Sequence, residues 1–469
     1  MNRRKFLQAA SGAVTGSLLT AKPTGWNILF LLMDDLGWHD TGPYGNTFID
    51  TPNLNRFASE GARFTNAYAA CPVCSPTRAS IMTGKYPARL HLTDWIPGRK
   101  QNPYARVLTP SFEQQLPRSE VTIAEALRGQ NYRSAAIGKW HLGGAGASPT
   151  DRGFDRNVAG DYKGSPPKYF GPLTLPGLTL EPGEFLTRRL SLEGDRFVRE
   201  DPSRHFFLYQ AQFTVHVPLE APGALVEKYR KRDIGDSDPV YCAMVETADE
   251  SVGALLKSVD ESGQADRTIV IFFSDNGGVR YQAKRKPPIT NNSPLRAGKG
   301  HLYEGGIREP LIIRWPGVTR PGSVIDTPVS SIDFFPTICE AVGTKYAPVD
   351  GVSLRPLLLG EAGVERPLFW HYPHYSDQGG VPSGAVRAGD WKLIEFYEDG
   401  RLELFDVSAD PGERVNLIRK EPARAKKLQQ TLADWRRSVG AAMPKPNPDY
   451  DRQRASEGLT GYEQPTPPA

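Results

Sequence analysis

Cysteine is scarce in this chain. Four residues in 469, Cys71, Cys74, Cys242 and Cys339, are too few for a disulfide framework, so each has to be read by its own surroundings. Cys71 and Cys74 form a CPVC pair, but no second cysteine pair and no histidine at ligand spacing accompanies them, which argues against a zinc site and against a thioredoxin-like site. Long apolar runs are also missing. No segment reaches the roughly 20 residues a membrane helix needs, so no stable membrane insertion is expected. Nor is there an excess of one charge: 57 basic against 53 acidic residues leave +4, too little for a general nucleic-acid binder and compatible with a local pocket for an anion. Internal repeats are absent as well.

What is present is the composition of an ordinary globular protein, with 39% hydrophobic residues and with 46 Gly and 41 Pro marking many turns. The opening MNRRKFLQAASGAVTGSLLTA joins two arginines to a weakly apolar stretch, Phe6 to Ala21, too short to span a bilayer. It reads as an export signal over residues 1–24. It resembles the twin-arginine type, with Asn2 where that pattern usually has Ser or Thr, and implies a periplasmic or extracellular protein.

The run NILFLLM at 27–33 sits between Gly25 and two aspartates, as expected of a strand buried on both faces. Similar runs recur at Ser134 to Ile137, Phe206 to Phe213, Thr268 to Phe273 and Pro310 to Trp315. Between them Tyr241, Met244, Val245, Ala248, Val252, Leu255, Leu256 and Val259 follow three- and four-residue spacing, a helix face. The alternation predicts an α/β fold, a large mostly parallel sheet flanked by helices, over a main domain at 25–360. After Leu359 short aromatic segments (LFWHYPHY, WKLIEFY, RLELFDV) between Gly and Asp turns predict a smaller antiparallel-sheet subdomain at 361–445, closed by a helix from Pro422 to Val439. An irregular tail at 446–469 is expected to follow.

Ligands of such sheets lie outside the carboxyl ends of the strands. Those ends carry Asp34 and Asp35, Lys139 and His141, His216, then Asp275 and Asn276. Three carboxylates and an amide carbonyl suit a hard divalent cation, calcium or magnesium, better than zinc. In CSPTRASIMTG, Ser75 is a good N-cap and Pro76 a first-turn residue, which puts Cys74 at a helix N-terminus. Free backbone N–H groups and the helix dipole there attract anions and lower a thiol's pKa, and Arg78 adds a forked cation. On these grounds alone Cys74 is either a nucleophile or a small buried residue.

CSPTR followed by MTG resembles the signature of type I sulfatases, members of the alkaline-phosphatase-like superfamily, in which the cysteine is oxidised to formylglycine. NILFLLMDDLGW, GKWHLG (138–143), TVHVP (214–218), SDNGG (274–278) and GKGHLYEGGIREP (298–310) fit the same family in order and spacing. Thr77 and Met82 stand where Ser and Leu are commoner. The resemblance implies one calcium ion held by Asp34, Asp35, Asp275 and Asn276 with the modified Cys74, and maturation by a formylglycine-generating or equivalent enzyme. It further implies Arg78 and Lys139 holding the aldehyde hydrate, Lys299 neutralising sulfate, His216 as acid for the leaving alcohol and His141 as base toward the second hydroxyl. The two histidine roles can be exchanged.

The expected substrate is an O-sulfated carbohydrate of galactose or N-acetylgalactosamine type, with His371 and His374 of WHYPHY either touching the sugar or packing in a strand. A phosphate or phosphonate monoester hydrolase of the same superfamily is the alternative, and a noncatalytic sulfated-glycan-binding protein a third reading.

Overall fold

Asn27–Met33 is buried along its whole length, which a strand achieves only when both sheet faces are covered. In the computed structural model, which describes residues 25–280, 289–455 and 457, this strand lies inside a nine-stranded sheet. The order across it is Ser323–Ile325, Ala62–Tyr68, Arg308–Arg314, Thr268–Ser274, Asn27–Met33, Phe206–Ala211, Arg133–Gly138 and Arg156–Val158, with Val329–Ser330 also pairing with Ala62–Tyr68. The export signal expected at 1–24 lies outside the described residues.

Side chains of Asn27–Met33 alternate between two cores, as a period of two requires. Leu29, Leu31 and Met33 pack with the helices Leu186–Glu200 and Pro239–Glu261 on one face. Ile28, Phe30 and Leu32 pack with Cys74–Thr83 and Phe334–Val342 on the other.

The five strands from Thr268–Ser274 to Arg156–Val158 run parallel. The run expected at Pro310 to Trp315 is a strand, Arg308–Arg314, but it is antiparallel to both neighbours. Two antiparallel steps restore direction, so Ala62–Tyr68, a strand not expected from the sequence, again runs with the majority. The edge that receives the carboxyl ends of the parallel strands therefore also receives the segment leading to Cys74 and, from the reversed strand, the residues that precede Arg308.

Leu368–Tyr372, Ser383–Ala388, Trp391–Phe396 and Leu402–Asp406 form the expected antiparallel sheet; Ser383–Ala388 is a strand the aromatic pattern did not mark. One face carries the helix Pro422–Ser438 through Leu428, Leu432 and Trp435. The other packs Trp370, Tyr372 and Ile394 against Tyr68, Cys71 and Val73, and Trp370 donates its indole N–H to the Ala69 carbonyl at 2.8 Å. A buried polar joint backs this contact. Lys392 bridges Glu304 (2.9 Å) and Glu413 (3.0 Å), and Tyr68 donates to Glu304 at 2.7 Å. The small sheet thus buttresses the segment that delivers Cys74. Past it, Lys445–Pro446 pairs with Val107–Leu108; in the tail expected at 446–469, residues 447–455 form no helix or strand, and 456 and 458–469 lie outside the described residues. Among the described residues no helix is long and apolar enough to cross a membrane.

Candidate active site

The helix Cys74–Thr83 begins at Cys74 itself, with Val73 as N-cap and no side-chain cap. Ser75, the expected cap, is inside the helix, and its Oγ accepts from the Ile96 N–H at 3.1 Å. All ten helix residues are buried, so the positive end of the dipole faces a shielded interior where it acts at low dielectric. All four cysteines are free and buried, Cys71 included.

Around Cys74 the strand ends interlock. Lys139 donates to Asp34 Oδ2 at 2.6 Å, and Lys299 donates to Asp35 Oδ1 at 2.6 Å and to Cys74 Sγ at 3.3 Å. Arg78 reaches Asp275 Oδ2 through Nε and Nη2, both at 2.8 Å, and its Nη1 donates to the Lys139 carbonyl at 2.9 Å. Burial raises the Cys74 thiol, but Lys139 and Lys299 outweigh it and hold the group well below its ordinary value. Burial likewise raises Asp34 and Asp275, whereas at Asp35 the ammonium of Lys299 prevails and keeps the carboxyl ionised.

One ligand atom from each of Asp34, Asp35, Cys74 and His216 lies within 4.8 Å of the others. Asp35 Oδ2 and the Asn276 carbonyl Oδ1 are buried without a hydrogen-bond partner, while Asn276 Nδ2 donates to Asp35 Oδ1 at 2.7 Å. Among the described residues, Asp275 Oδ1 accepts only the Asp35 N–H, at 3.3 Å. Two orphaned oxygens from neighbouring strand ends, beside further carboxylates, fit a hard cation, because leaving them bare costs desolvation that such an ion would offset.

Two histidines flank Cys74. His141 Nε2 lies 2.6 Å from the Ile96 carbonyl, which can only accept, so Nε2 carries the proton and Nδ1 is buried without a hydrogen-bond partner. Burial pushes His141 down to about 4, so the ring is a neutral base. His216 donates from Nδ1 to the Val217 carbonyl at 2.8 Å, and its Nε2 faces Asp35 Oδ2 at 3.7 Å. Burial lowers His216, but Asp34 and Asp35 reverse this and raise it, which favours its protonated form.

Backbone strain accompanies this packing. Asp35 (φ 62°) and His141 (φ 59°) are both in the left-handed region, unusual for side chains of this size. Gly138, which turns the chain from its strand toward Lys139, has φ 102°, and a Cβ there would lie 1.8 Å from the Ala211 carbonyl oxygen.

These residues open into a cavity of about 420 Å³. Cys74, His141, His216 and Lys299 line its reactive end; Trp95, Tyr162, Lys163, Asp377 and Gln378 line the rest. That second group had no sequence signal, since it comes from loops without strand, helix or motif pattern. His371 and His374 are not among the lining residues. Tyr397 OH and the Ala442 carbonyl occupy the two His371 nitrogens at 2.8 and 2.9 Å. His374 Nε2 meets Thr93 Oγ1 at 2.8 Å. The strand-packing reading of WHYPHY is the one this geometry matches.

The sulfatase family profile matches residues 26–344, and that of the N-sulphoglucosamine sulphohydrolase C-terminal region matches 297–438. Arylsulfatase A from Homo sapiens is 33% identical over 463 residues, covering 87% of this chain and 85% of the relative. The chain belongs to the sulfatase family. Within it, N-acetylgalactosamine-6-sulfatase from Sus scrofa is 34% identical, covering 87% of this chain and 78% of its own length. Ps i-CgsB, solved in complex with k-i-k-neocarrahexaose, superposes with a TM-score of 0.76 at 27% identity over 91% of this chain and 94% of that one. This sulfatase is accordingly a sulfuric ester hydrolase on an alkaline-phosphatase-like fold. Sulfatases generally use a formylglycine and a metal ion, and the orphaned oxygens beside Cys74 are where such an ion fits.

Proposed function

We propose that this sulfatase is an exported enzyme that removes O-sulfate groups from a carbohydrate of galactose or N-acetylgalactosamine type, using one calcium ion and a formylglycine made from Cys74 by a maturation enzyme. The observation that carries the reading is the seat of Cys74, a helix N-terminus within reach of Lys299 and of the unpartnered oxygens of Asp35 and Asn276. In this reading residues 25–360 are the catalytic unit and 361–445 a supporting subdomain.

Calcium held by Asp34, Asp35, Asp275, Asn276 and residue 74 would neutralise charge on the sulfate oxygens as the ester bond breaks. A hydrated aldehyde at position 74 would supply an oxygen nucleophile, better matched to a hard cation than a thiol. The chain's own groups do the rest. Lys299, 3.3 Å from the position-74 side-chain atom and fixed by Asp35, steadies the negative charge of the sulfate. Arg78 and Lys139 lock Asp275 and Asp34 and keep the helix end electropositive. His141, neutral with Nδ1 bare, takes a proton from the position-74 side chain. His216, biased toward its protonated form, gives one to the departing alcohol from Nε2, the nitrogen its Val217 bond leaves open.

The test is paired assays on aryl sulfate and aryl phosphate together with mass spectrometry of the peptide that contains Cys74. Preferential sulfate release and an aldehyde at 74 are expected. A preference for phosphate, or an unmodified thiol in fully active protein, overturns the reading.

A further inference from the structure

Each wall of the cavity hangs on a residue of the reactive centre. The Trp95–Pro97 wall is fastened to His141 by the Ile96 carbonyl at 2.6 Å. The wall with Tyr162 and Lys163 is fastened to the same residue twice: the His141 N–H donates to the Asp161 carbonyl at 2.9 Å, and Gly164 lies so close that a Cβ would stand 2.5 Å from His141 Cε1. The third wall rests beside Lys299. Gly380 packs on the carbonyl of Gly300, where its Cβ would come within 1.7 Å, and the Ser376 N–H donates to the Gly380 carbonyl at 2.8 Å, which brackets Asp377 and Gln378. Whatever sits on these walls is therefore held in register with the scissile group.

The charges on the walls do not cancel. Asp377 is matched by Arg99, whose Nε donates to it at 2.9 Å. Lys163 is exposed, leans toward the Tyr162 ring with Nζ 5.8 Å from its centroid, and has no carboxylate partner among the described residues. An unmatched ammonium one residue from the glycine that touches the catalytic histidine creates a second place for negative charge, separate from the one at Cys74 and Lys299.

We propose that Lys163 binds a second anionic group of the substrate, a sulfate or a uronate carboxylate on the same or the adjoining sugar, so that the enzyme selects polyanionic saccharides over singly sulfated neutral ones. Trp95 offers the half-buried aromatic face on which a sugar ring can rest, and Gln378 an amide for its hydroxyls. This rests on the sulfated-carbohydrate reading above and adds the substrate's charge pattern to it.

The experiment measures kcat and KM of the holoenzyme on para-nitrophenyl sulfate, on singly sulfated galactose-type disaccharides, and on the same disaccharides carrying a second sulfate or a carboxylate at each available position. Wild type is compared with Lys163→Ala and Lys163→Arg. At least one doubly anionic disaccharide is expected to show a KM about fivefold below its singly sulfated parent, the size of one partly exposed ion pair. Lys163→Ala is expected to erase that preference through KM with kcat kept, and Lys163→Arg to preserve it. Turnover of the sugars with no preference for any doubly anionic form, or a preference that survives Lys163→Ala, overturns the assignment. Turnover of para-nitrophenyl sulfate with none of the sugars overturns the carbohydrate reading, and this assignment with it.

Discussion

At the scale of single residues, the site depends on contacts with little room to relax. Gly164 touches the His141 ring, and Gly164→Ala would bring a methyl to 2.5 Å from Cε1 and 2.8 Å from Nε2. The ring must move, and the 2.6 Å bond to the Ile96 carbonyl that sets its tautomer is broken. We expect kcat to fall by at least about tenfold with the melting temperature nearly unchanged, because Gly164 is half-buried at the cavity wall and not in a core. Equal kcat in the variant would show that the tautomer of His141 does not matter. Arg78→Lys tests another fixed geometry. A lysine cannot present two nitrogens to Asp275 and a third to the Lys139 carbonyl, so a buried carboxylate loses its partner, at a cost on the order of 3–5 kcal/mol. Denaturant unfolding should show that loss along with near-complete loss of turnover; a stable, active Arg78→Lys would mean that only charge is needed at 78.

At the scale of elements, the small antiparallel sheet holds the Thr93–Pro97 segment from outside. Tyr372 donates to Asp94 Oδ1 at 3.1 Å, the Trp95 N–H donates to the same oxygen at 2.9 Å, and His374 meets Thr93. Tyr372→Phe removes one bond and leaves Asp94, which burial raises to about 8, with one donor fewer. A stability loss of about 1 kcal/mol is expected, with a larger fractional loss of kcat, since the Ile96 carbonyl lies on the loosened segment. Unchanged kcat would show that the segment holds itself. The same sheet sets a pH dependence. Burial lowers His371 to about 4 and His374 to about 3 from an ordinary 6.5. Their folded values are depressed, so the unfolded chain binds more protons below about 6.5. Stability is then full above that pH and falls as pH drops toward 4, each histidine costing up to about 1.4 kcal/mol per unit in that window. Urea midpoints at about pH 7 and about pH 5 check this. His371→Gln should lessen the drop between them; an identical drop in the variant would assign it to other groups.

At the scale of the whole molecule, strand ends distant in sequence meet at one point with three buried carboxylates, and the proposed cation would link their charge to the stability of the large sheet. Saturating calcium at a hundredfold over its Kd should add about 2.7 kcal/mol. Chelation should therefore lower the melting temperature as well as turnover, and calcium should restore both where zinc does not. A melting temperature indifferent to chelator would mean that Lys139, Lys299 and Arg78 balance the carboxylates without an ion. The placement of Lys299 also belongs to this scale. It reaches Cys74 only because Arg308–Arg314 runs against its neighbours, so that the residues before it emerge at the edge where the parallel strands end.

Much of this was legible in the chain itself. Buried strands announce themselves as apolar runs, so Asn27–Met33, Arg133–Gly138, Phe206–Ala211 and Thr268–Ser274 and the polar residues that follow them could be read directly, as could Cys74 at the head of a helix. Strands built from small or polar residues carry weaker patterns. Ala62–Tyr68 (ARFTNAY), half-buried, and Ser383–Ala388 (SGAVRA), buried but small-residue-rich, gave no such signal. Strand direction left no mark either, because parallel and antiparallel neighbours both require apolar faces. What only the tertiary structure decided were contacts between segments with no common pattern. Ser75 gave up the cap to bind Ile96, His371 and His374 turned to Tyr397, Ala442 and Thr93, and Trp95, Lys163 and Gln378 came from three loops to one cavity. Local sequence determines which groups can do chemistry, through side-chain type and strand or helix period; which of them meet depends on how the strands cross, and that is a property of the whole packed chain.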